Sequence, residues 1–157
     1  MAQRSIIPLV LSVFLIACQS KTNTPWIEQE MSTHCLNSDS IRLTYPPQEP
    51  SEGFELELLL AQDELTSYIN LFLYPLPFKH RTTYSLTFTC ENETVSYPAY
   101  LHRGGQKLTL SKEAQDHLLS LLKQEKSVHI SFDRHSQLII GEGFQKYKKI
   151  ISKICQN

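Results

Sequence analysis

Four cysteines are the most reactive side chains of this 157-residue sequence, and their placement separates one of them from the other three. No two of them are arranged as Cys-x-x-Cys, so nothing in the sequence supports a thioredoxin-like redox site. Cys18 directly follows a short apolar run and the small residue Ala17. Cys35, Cys90 and Cys155 are widely spaced along the rest of the chain. The role of Cys18 is therefore inferred from the residues before it, whereas the other three cysteines are candidates for a disulfide bond.

The residues before Cys18 have the parts of a secretory signal peptide. A polar start with one positive charge precedes an apolar run at residues 6–16, which is too short to cross a bilayer, since a membrane-spanning helix needs roughly 17–25 residues. Leu15-Ile16-Ala17-Cys18 resembles the lipobox of bacterial lipoprotein precursors. The resemblance implies that residues 1–17 are removed and that residues 18–25 form a lipidated N-terminus and tether, with the acyl chains on Cys18. The alternative is an ordinary signal peptide in which Cys18 is incidental.

The resemblance also implies a location in the cell envelope. Each buried methylene contributes about 0.8 kcal/mol, so the two or three acyl chains of a lipoprotein anchor it stably. In Gram-negative lipoproteins an aspartate after the lipidated cysteine favours retention in the inner membrane. This chain has Gln19 there, which indicates the outer membrane in an organism that has one.

Export would place Cys35, Cys90 and Cys155 in an oxidising compartment, where disulfides persist. Three thiols form at most one intramolecular bond, so one is left over. The sequence allows all three pairings. We favour Cys35 as one partner, because it lies in a polar N-terminal segment that has little else to hold it. An activated thiolate at His34-Cys35 is the less favoured interpretation.

Glu55 and Glu57 are the best candidates for acid–base chemistry. They alternate with apolar residues and therefore share one face of a predicted strand, roughly 7 Å apart. Paired carboxylates serve glycoside hydrolysis at comparable separations. A solvated strand face is the favoured interpretation, because catalysis also needs a cleft in which one carboxyl is buried. The sequence has no Gly-x-Ser-x-Gly, phosphate-loop or dinucleotide motif, so we predict a protein that is not an enzyme.

The six histidines show no metal-site spacing. No pair has the i, i+4 spacing of a helical site, and no cysteine–histidine set has zinc-finger spacing. His129 alternates with apolar neighbours and should point away from the core, whereas His135 lies in a predicted turn. The sequence therefore predicts neither a metal nor a cofactor.

A hydrophobic period of two runs through most of the chain and predicts eight short strands. They are expected at residues 41–45, 54–60, 68–74, 82–90, 95–101, 107–110, 128–132 and 138–140. The period becomes helical after Ser111, a candidate N-cap, and again from about Phe144 to Ile154. Short turns between the strands favour antiparallel pairing. We predict one α+β domain over residues 26–157, a mainly antiparallel curved sheet of about eight strands with two late helices, one or both of which close its open face.

Two surfaces could bind something else. The last helix carries an outward basic stripe that anionic headgroups would attract, although a solvated helix face is favoured. A face of the third predicted strand is aromatic and could bind a partner or a glycan, although packing beneath a helix is favoured. The basic stripe consists of Lys146, Lys148, Lys149 and Lys153, and the aromatic face of Tyr68, Phe72 and Tyr74, with Tyr100 in an outward register of its own strand.

The charge of the chain gives no support for a nucleic-acid partner. From Cys18 onward the formal net charge is −2, which does not indicate nucleic acid. Residues 22–75 hold nine acidic residues and one basic residue, whereas residues 76–157 hold seven acidic and twelve basic residues. Such asymmetry can orient a protein on a charged surface, and two solvated faces of one domain are the simpler interpretation.

The order of elements from Leu108 to Cys155 resembles the invasion-associated locus B family of exported bacterial proteins. The resemblance lies in the order of strands, helices and the terminal cysteine, and it implies a binding role facing a host or the envelope. Together these observations predict a non-enzymatic envelope lipoprotein, a binding or assembly domain with a protein partner. The alternatives are a periplasmic inhibitor or immunity-type protein and, less favoured, a hydrolase using Glu55 or Glu57.

Overall fold

The computed structural model describes residues 25–33, 38–49, 51–77 and 82–154. These residues form nine strands, two α-helices and a short 3₁₀ helix. The strands are β1 (Ile27–Thr33), β2 (Ser38–Tyr45), β3 (Glu55–Ala61), β4 (Glu64–Asn70), β5 (Thr83–Cys90), β6 (Glu93–Leu101), β7 (Lys107–Leu110), β8 (Val128–Phe132) and β9 (His135–Ile139). Helix α1 spans Lys112–Lys123, and helix α2 (Lys148–Ile154) follows the 3₁₀ helix Phe144–Lys146.

All nine strands pair antiparallel in one open sheet with the order β1-β2-β3-β4-β7-β6-β5-β8-β9. The predicted α+β class, with a mainly antiparallel sheet and two late helices, is confirmed. The described residues contain nine strands, whereas about eight were predicted. The additional strand is β1.

The two faces of the sheet differ in polarity, and the alternation within each strand is the reason. Leu43, Leu56 and Ile69 are fully buried on neighbouring strands. Along β5, buried and more exposed side chains alternate strictly. The buried side chains form a single cluster on what we call the inner face. The opposite, outer face carries the polar residues of the same strands.

Helix α1 packs its apolar stripe into this cluster. The Ser111 side chain accepts a hydrogen bond from the Ala114 amide at 3.2 Å, so the predicted N-cap is confirmed. The Gln115 side-chain amide donates to the Leu65 carbonyl of β4 at 2.8 Å, which ties the helix to the sheet. The stripe buried against the core consists of Ala114, Leu118, Leu119, Leu121 and Leu122.

The first residues of the domain contact the segment that follows β9, so the sheet is curved. Trp26, just before β1, donates its indole N–H to the Ile140 carbonyl at 3.0 Å. The Tyr147 hydroxyl donates to the Trp26 carbonyl at 3.1 Å. The Trp26 ring is buried against Tyr45 and Phe144, with ring centroids 5.0 and 5.3 Å apart. Trp26 therefore packs on the domain and does not face outward.

The predicted boundaries differ most at β4, at β9 and at the last helix, which is divided into the 3₁₀ helix Phe144–Lys146 and α2. The strand expected at residues 68–74 is β4, which begins at Glu64 and ends at Asn70, so Phe72 and Tyr74 do not share a strand face with Tyr68. The sequence did not indicate the β3–β4 turn, because its two residues, Gln62 and Asp63, adopt positive φ angles of 50° and 66° although neither is a glycine. The last strand begins at His135 rather than at residue 138, and the predicted turn shrinks to the two residues before it.

Candidate functional site

Five polar side chains form a cleft on the outer face of four adjacent strands. Arg42 lies on β2, Glu55 and Glu57 on β3, Asn70 on β4 and Lys107 on β7. Strand register places Glu55 opposite Asn70, and Asn70 opposite Lys107. We call this set the Glu55–Glu57 cleft. The two carboxylates share one face, as predicted, but the favoured interpretation of a solvated face is wrong, because Glu57 is buried and Glu55 half-buried beneath the three surrounding side chains.

Two donors bridge the carboxylates. One Arg42 nitrogen, Nη2, donates to Glu55 Oε1 at 2.8 Å and to Glu57 Oε2 at 3.2 Å. Asn70 Nδ2 donates to the same two oxygens at 3.0 and 2.6 Å. Each of these nitrogens carries two protons and can serve both acceptors. The carboxylates are thus held beside each other by hydrogen bonds rather than repelled.

Lys107 completes the charge balance of the cleft. Its ammonium lies 3.4 Å from Glu57 Oε1 and 3.8 Å from the centroid of the Tyr68 ring. Two acidic and two basic side chains therefore neutralise one another. Glu57 is only 5% exposed, so its ion pairs are less screened by water than those of a surface carboxylate. Both carboxylates act as fixed hydrogen-bond acceptors in this arrangement.

The cleft is an open cavity of about 390 Å³. Leu71, Phe72 and Gln106 complete its lining. The outer face continues past Tyr68, whose ring meets the His102 ring edge-on with centroids 6.1 Å apart. His102 Nε2 is in turn 2.6 Å from the Thr109 hydroxyl. The predicted aromatic face is therefore reduced to Tyr68 on β4 and the exposed Tyr100 on β6.

An apolar loop at residues 71–77 borders the cleft. Phe72, Leu73 and Tyr74 are 57%, 58% and 43% exposed, whereas Leu71 and Leu76 are buried. The Leu71 and Leu76 amides donate to the carbonyls of Gln106 and Gly105, both at 2.7 Å. The Arg134 guanidinium lies 4.4 Å from the Tyr74 ring centroid. The loop is thus fixed at both ends while its three central side chains face solvent.

Sequence reasoning missed this loop. Its apolar residues continue the run of β4, and the run alone does not show where the strand stops. The available signal was Pro75-Leu76-Pro77, which rules out a ladder of regular hydrogen bonds close behind Tyr74.

Of the cysteines, only Cys90 is among the described residues, where it is a buried free thiol at the end of β5. Cys18, Cys35 and Cys155 lie outside the described residues, as does the rest of the lipobox. Lipidation at Cys18 and the choice of disulfide therefore stay predictions.

The histidines are dispersed over the described part of the chain, which contains no group of three or more metal-ligating side chains. His129 is exposed, as predicted. His135 is not in a turn but begins β9, buried with its ring stacked on Phe132 at 5.3 Å. The His117 ring accepts or donates a 2.9 Å hydrogen bond with Tyr97. His34 and His80 lie outside the described residues.

The basic stripe is partly engaged by the sheet. Lys146, Lys148 and Lys149 are exposed, and Lys149 pairs with Glu30 of β1 at 2.5 Å. That hydrogen bond, and then the ammonium charge, lower the pKa of the Glu30 carboxyl below its usual 4.5. The pair lines a second cavity of about 380 Å³, between α2 and the β1–β3 strands. The side chain of Lys153 lies outside the described residues.

No helix in the described residues is both long and apolar enough to span a membrane. Comparison with models of known protein families, with curated proteins and with solved structures finds no match to this chain.

Proposed function

We propose that this chain is an envelope lipoprotein, anchored through acyl chains on Cys18, whose domain binds a protein partner through the Glu55–Glu57 cleft. The lipobox Leu15-Ile16-Ala17-Cys18 supports the anchor, and Gln19 favours the outer membrane. The domain follows the anchor after a short polar tether.

One observation carries the binding role: both carboxylates are fixed acceptors in an open cleft. Arg42 and Asn70 each bridge Glu55 and Glu57, with donor–acceptor distances of 2.6–3.2 Å. A pre-organised set of this kind can recognise the hydrogen-bonding groups of a partner without a large ordering penalty. The same engagement of both carboxylates favours binding over acid–base catalysis, which needs a carboxyl free to exchange a proton with substrate.

A photocrosslinking experiment in intact cells tests this proposal. A photoreactive side chain placed at Gln106, an exposed residue lining the cleft, should give one discrete protein adduct. The matched control is Glu113, exposed on α1 against the inner face, where no adduct is expected. Asn70→Ala should weaken the Gln106 adduct, since it removes the donor nearest to Glu57. Equal crosslinking from both positions, or an adduct insensitive to Asn70→Ala, would contradict a role for the cleft.

The apolar loop favours a second candidate, an inhibitor or immunity-type protein. A fixed loop with three exposed large apolar side chains has the shape of an element that inserts into another protein's site. If so, Leu73→Asp should abolish inhibition of the target enzyme, whereas a change in the cleft such as Lys107→Ala should not. The reverse pattern would exclude this candidate.

A further inference from the structure

The apolar loop presents three consecutive large side chains to solvent on a backbone that is already fixed. Leu71 and Leu76 are buried, and their amides are bonded to the β6–β7 turn. Covering Phe72, Leu73 and Tyr74 would therefore remove apolar surface from water without first ordering the loop.

The chain enters the domain at the same margin of the sheet as this loop. Ile27 is in register with Thr44, Thr44 with Glu57, and Glu57 with Tyr68. Pro25 lies two residues before Ile27, and Asn70 lies two residues after Tyr68 at the end of β4. Both are therefore displaced toward the same margin of the sheet. Three strand spacings, about 14 Å in all, separate β1 from β4. The loop thus begins close to the point at which the chain arrives.

The predicted tether is short. Seven residue steps separate Cys18 from Pro25. Such a segment spans at most about 25 Å when extended and about 15 Å on average when flexible. An acylated Cys18 would therefore hold this margin of the sheet within about 25 Å of the lipid surface, which gives the loop a high effective concentration there.

We propose that Phe72, Leu73 and Tyr74 insert into the membrane that holds Cys18, so that the domain docks with this margin against the lipid. The inference rests on the lipid anchor proposed above. Aromatic side chains are suited to the boundary between headgroups and acyl chains. Arg134, which lies over the Tyr74 ring, can keep its guanidinium at headgroup level. Ile27, about half exposed at the foot of the tether, adds apolar surface on the same margin.

Apolar burial can hold the loop in lipid without a net lipid charge. Among the described residues around the margin, Arg103 and Arg134 are exposed, and so are Glu49 and Glu52 in the β2–β3 loop. Lys79 and Arg81 follow the loop in the sequence, outside the described residues, and anionic headgroups would attract them. Docking should therefore persist in phosphatidylcholine vesicles, which carry no net charge.

Fluorescence quenching in vesicles tests the proposal. The full acylated protein is reconstituted in phosphatidylcholine vesicles containing lipids brominated near the top of the acyl chains. Phe72→Trp and, separately, Tyr74→Trp place an indole in the loop. The matched control is Glu64→Trp, an exposed position at the start of β4, about 20 Å along the strand from the end that leads into the loop. Wild-type protein supplies the background of the buried Trp26.

Bromolipid should reduce the added fluorescence of Phe72→Trp and Tyr74→Trp about twofold or more, and leave that of Glu64→Trp unchanged, because only the loop reaches the lipid. Protein that floats with the vesicles while both loop indoles resist bromolipid and are quenched by aqueous acrylamide would overturn the docking but leave the anchor intact. Loop indoles that become shielded from acrylamide only in native envelopes would show a protein occupant and also overturn it. Protein that does not float with vesicles would instead refute the lipid anchor.

Discussion

Glu57 is the residue whose environment most constrains the candidate site. It is nearly buried, and its carboxylate accepts hydrogen bonds from Arg42, Asn70 and Lys107. A buried charge is tolerated only while its partners remain, because loss of one partner leaves the desolvation of the carboxylate uncompensated. The same contacts therefore determine both the local stability and the shape of the cleft.

Replacing Arg42 should destabilise the domain more than replacing an ordinary surface cation. Arg42→Ala is expected to lower the free energy of unfolding by about 2 kcal/mol, because it leaves Glu57 with a weaker set of partners. Lys112→Ala is the matched control: its ion pair with Asp116 is an i, i+4 pair more than half exposed on both sides, so the expected loss is about 0.5 kcal/mol or less.

Urea denaturation measures both changes. Adding Glu57→Gln to Arg42→Ala should recover part of the loss, since the unpaired charge is gone. Equal losses for Arg42→Ala and Lys112→Ala would mean that the cleft is no more than a solvated strand face.

The Glu30–Lys149 pair predicts a local dependence on pH. Its hydrogen bond and charge lower the pKa of Glu30, so its contribution is complete above pH 4.5 and is lost as the pH falls through the lowered value. Lys149→Ala should raise the pKa of Glu30 back toward 4.5 in an NMR titration of the carboxyl carbon. The neighbouring Lys148→Ala should leave the titration unchanged, and a shift of equal size in both variants would argue against a specific pair.

At the scale of elements, the apolar loop is held by a turn that has room only for glycine. A Cβ on Gly105 would lie 2.2 Å from the Leu76 carbonyl oxygen, and its φ is +73°. Gly104, next to it, also has a positive φ, +98°, but a Cβ there meets nothing within 4 Å. An alanine at Gly104 would therefore introduce backbone strain alone, whereas an alanine at Gly105 would introduce backbone strain and a steric clash with the loop.

Gly105→Ala should displace the loop, whereas Gly104→Ala should only strain the turn. We expect a loss of about 1 kcal/mol for Gly104→Ala from the positive φ and about 3 kcal/mol for Gly105→Ala. Hydrogen exchange of the Leu71 and Leu76 amides should accelerate only in Gly105→Ala. Similar exchange in the two variants would indicate that the loop does not depend on this turn.

Helix α2 and strand β1 predict the pairing of the cysteines. Tyr147 contacts Trp26 and Lys149 contacts Glu30. Helix α2 therefore runs beside β1 in the same direction, toward the C-terminal end of that strand. Cys35 comes soon after β1 in the sequence, and Cys155 directly after α2, although both lie outside the described residues. Cys90 is buried at the end of β5. We therefore predict a Cys35–Cys155 disulfide in the exported protein.

Peptide mapping without reduction tests this pairing. Cys90 should react with N-ethylmaleimide only after unfolding, and Cys90→Ala should retain the disulfide. A bonded peptide that contains Cys90 would contradict the prediction.

For the molecule as a whole, the alternation of apolar and polar residues along the chain was enough to predict the class of fold. Strand β5 and the Ser111-capped helix α1 follow directly from local patterns, because each buries one regular face. Strand β1 was missed because the described side chains along it, residues 27–31, are exposed. The domain entry just before it is held by Trp26, whose partner Ile140 is 114 residues away. A contact between residues so far apart in the sequence cannot be predicted from the hydrophobic pattern of either segment.

The candidate site was predictable only in part for the same reason. The shared face of Glu55 and Glu57 follows from their spacing, whereas Lys107 reaches Glu57 across 50 residues through the pairing of β4 with β7. The apolar loop was hidden by the continuity of its apolar residues with β4. The cleft and the loop therefore arise from tertiary structure, whereas the anchor is indicated by the sequence alone.

Metabolic labelling with a radioactive fatty acid tests whether Cys18 carries the lipid anchor. Wild-type protein and the Cys35→Ala control should take up label and sediment with membranes. Cys18→Ala should take up none. A Cys18→Ala protein that is labelled as strongly as wild type, or a wild-type protein that takes up no label, would show that Cys18 is not a lipid anchor.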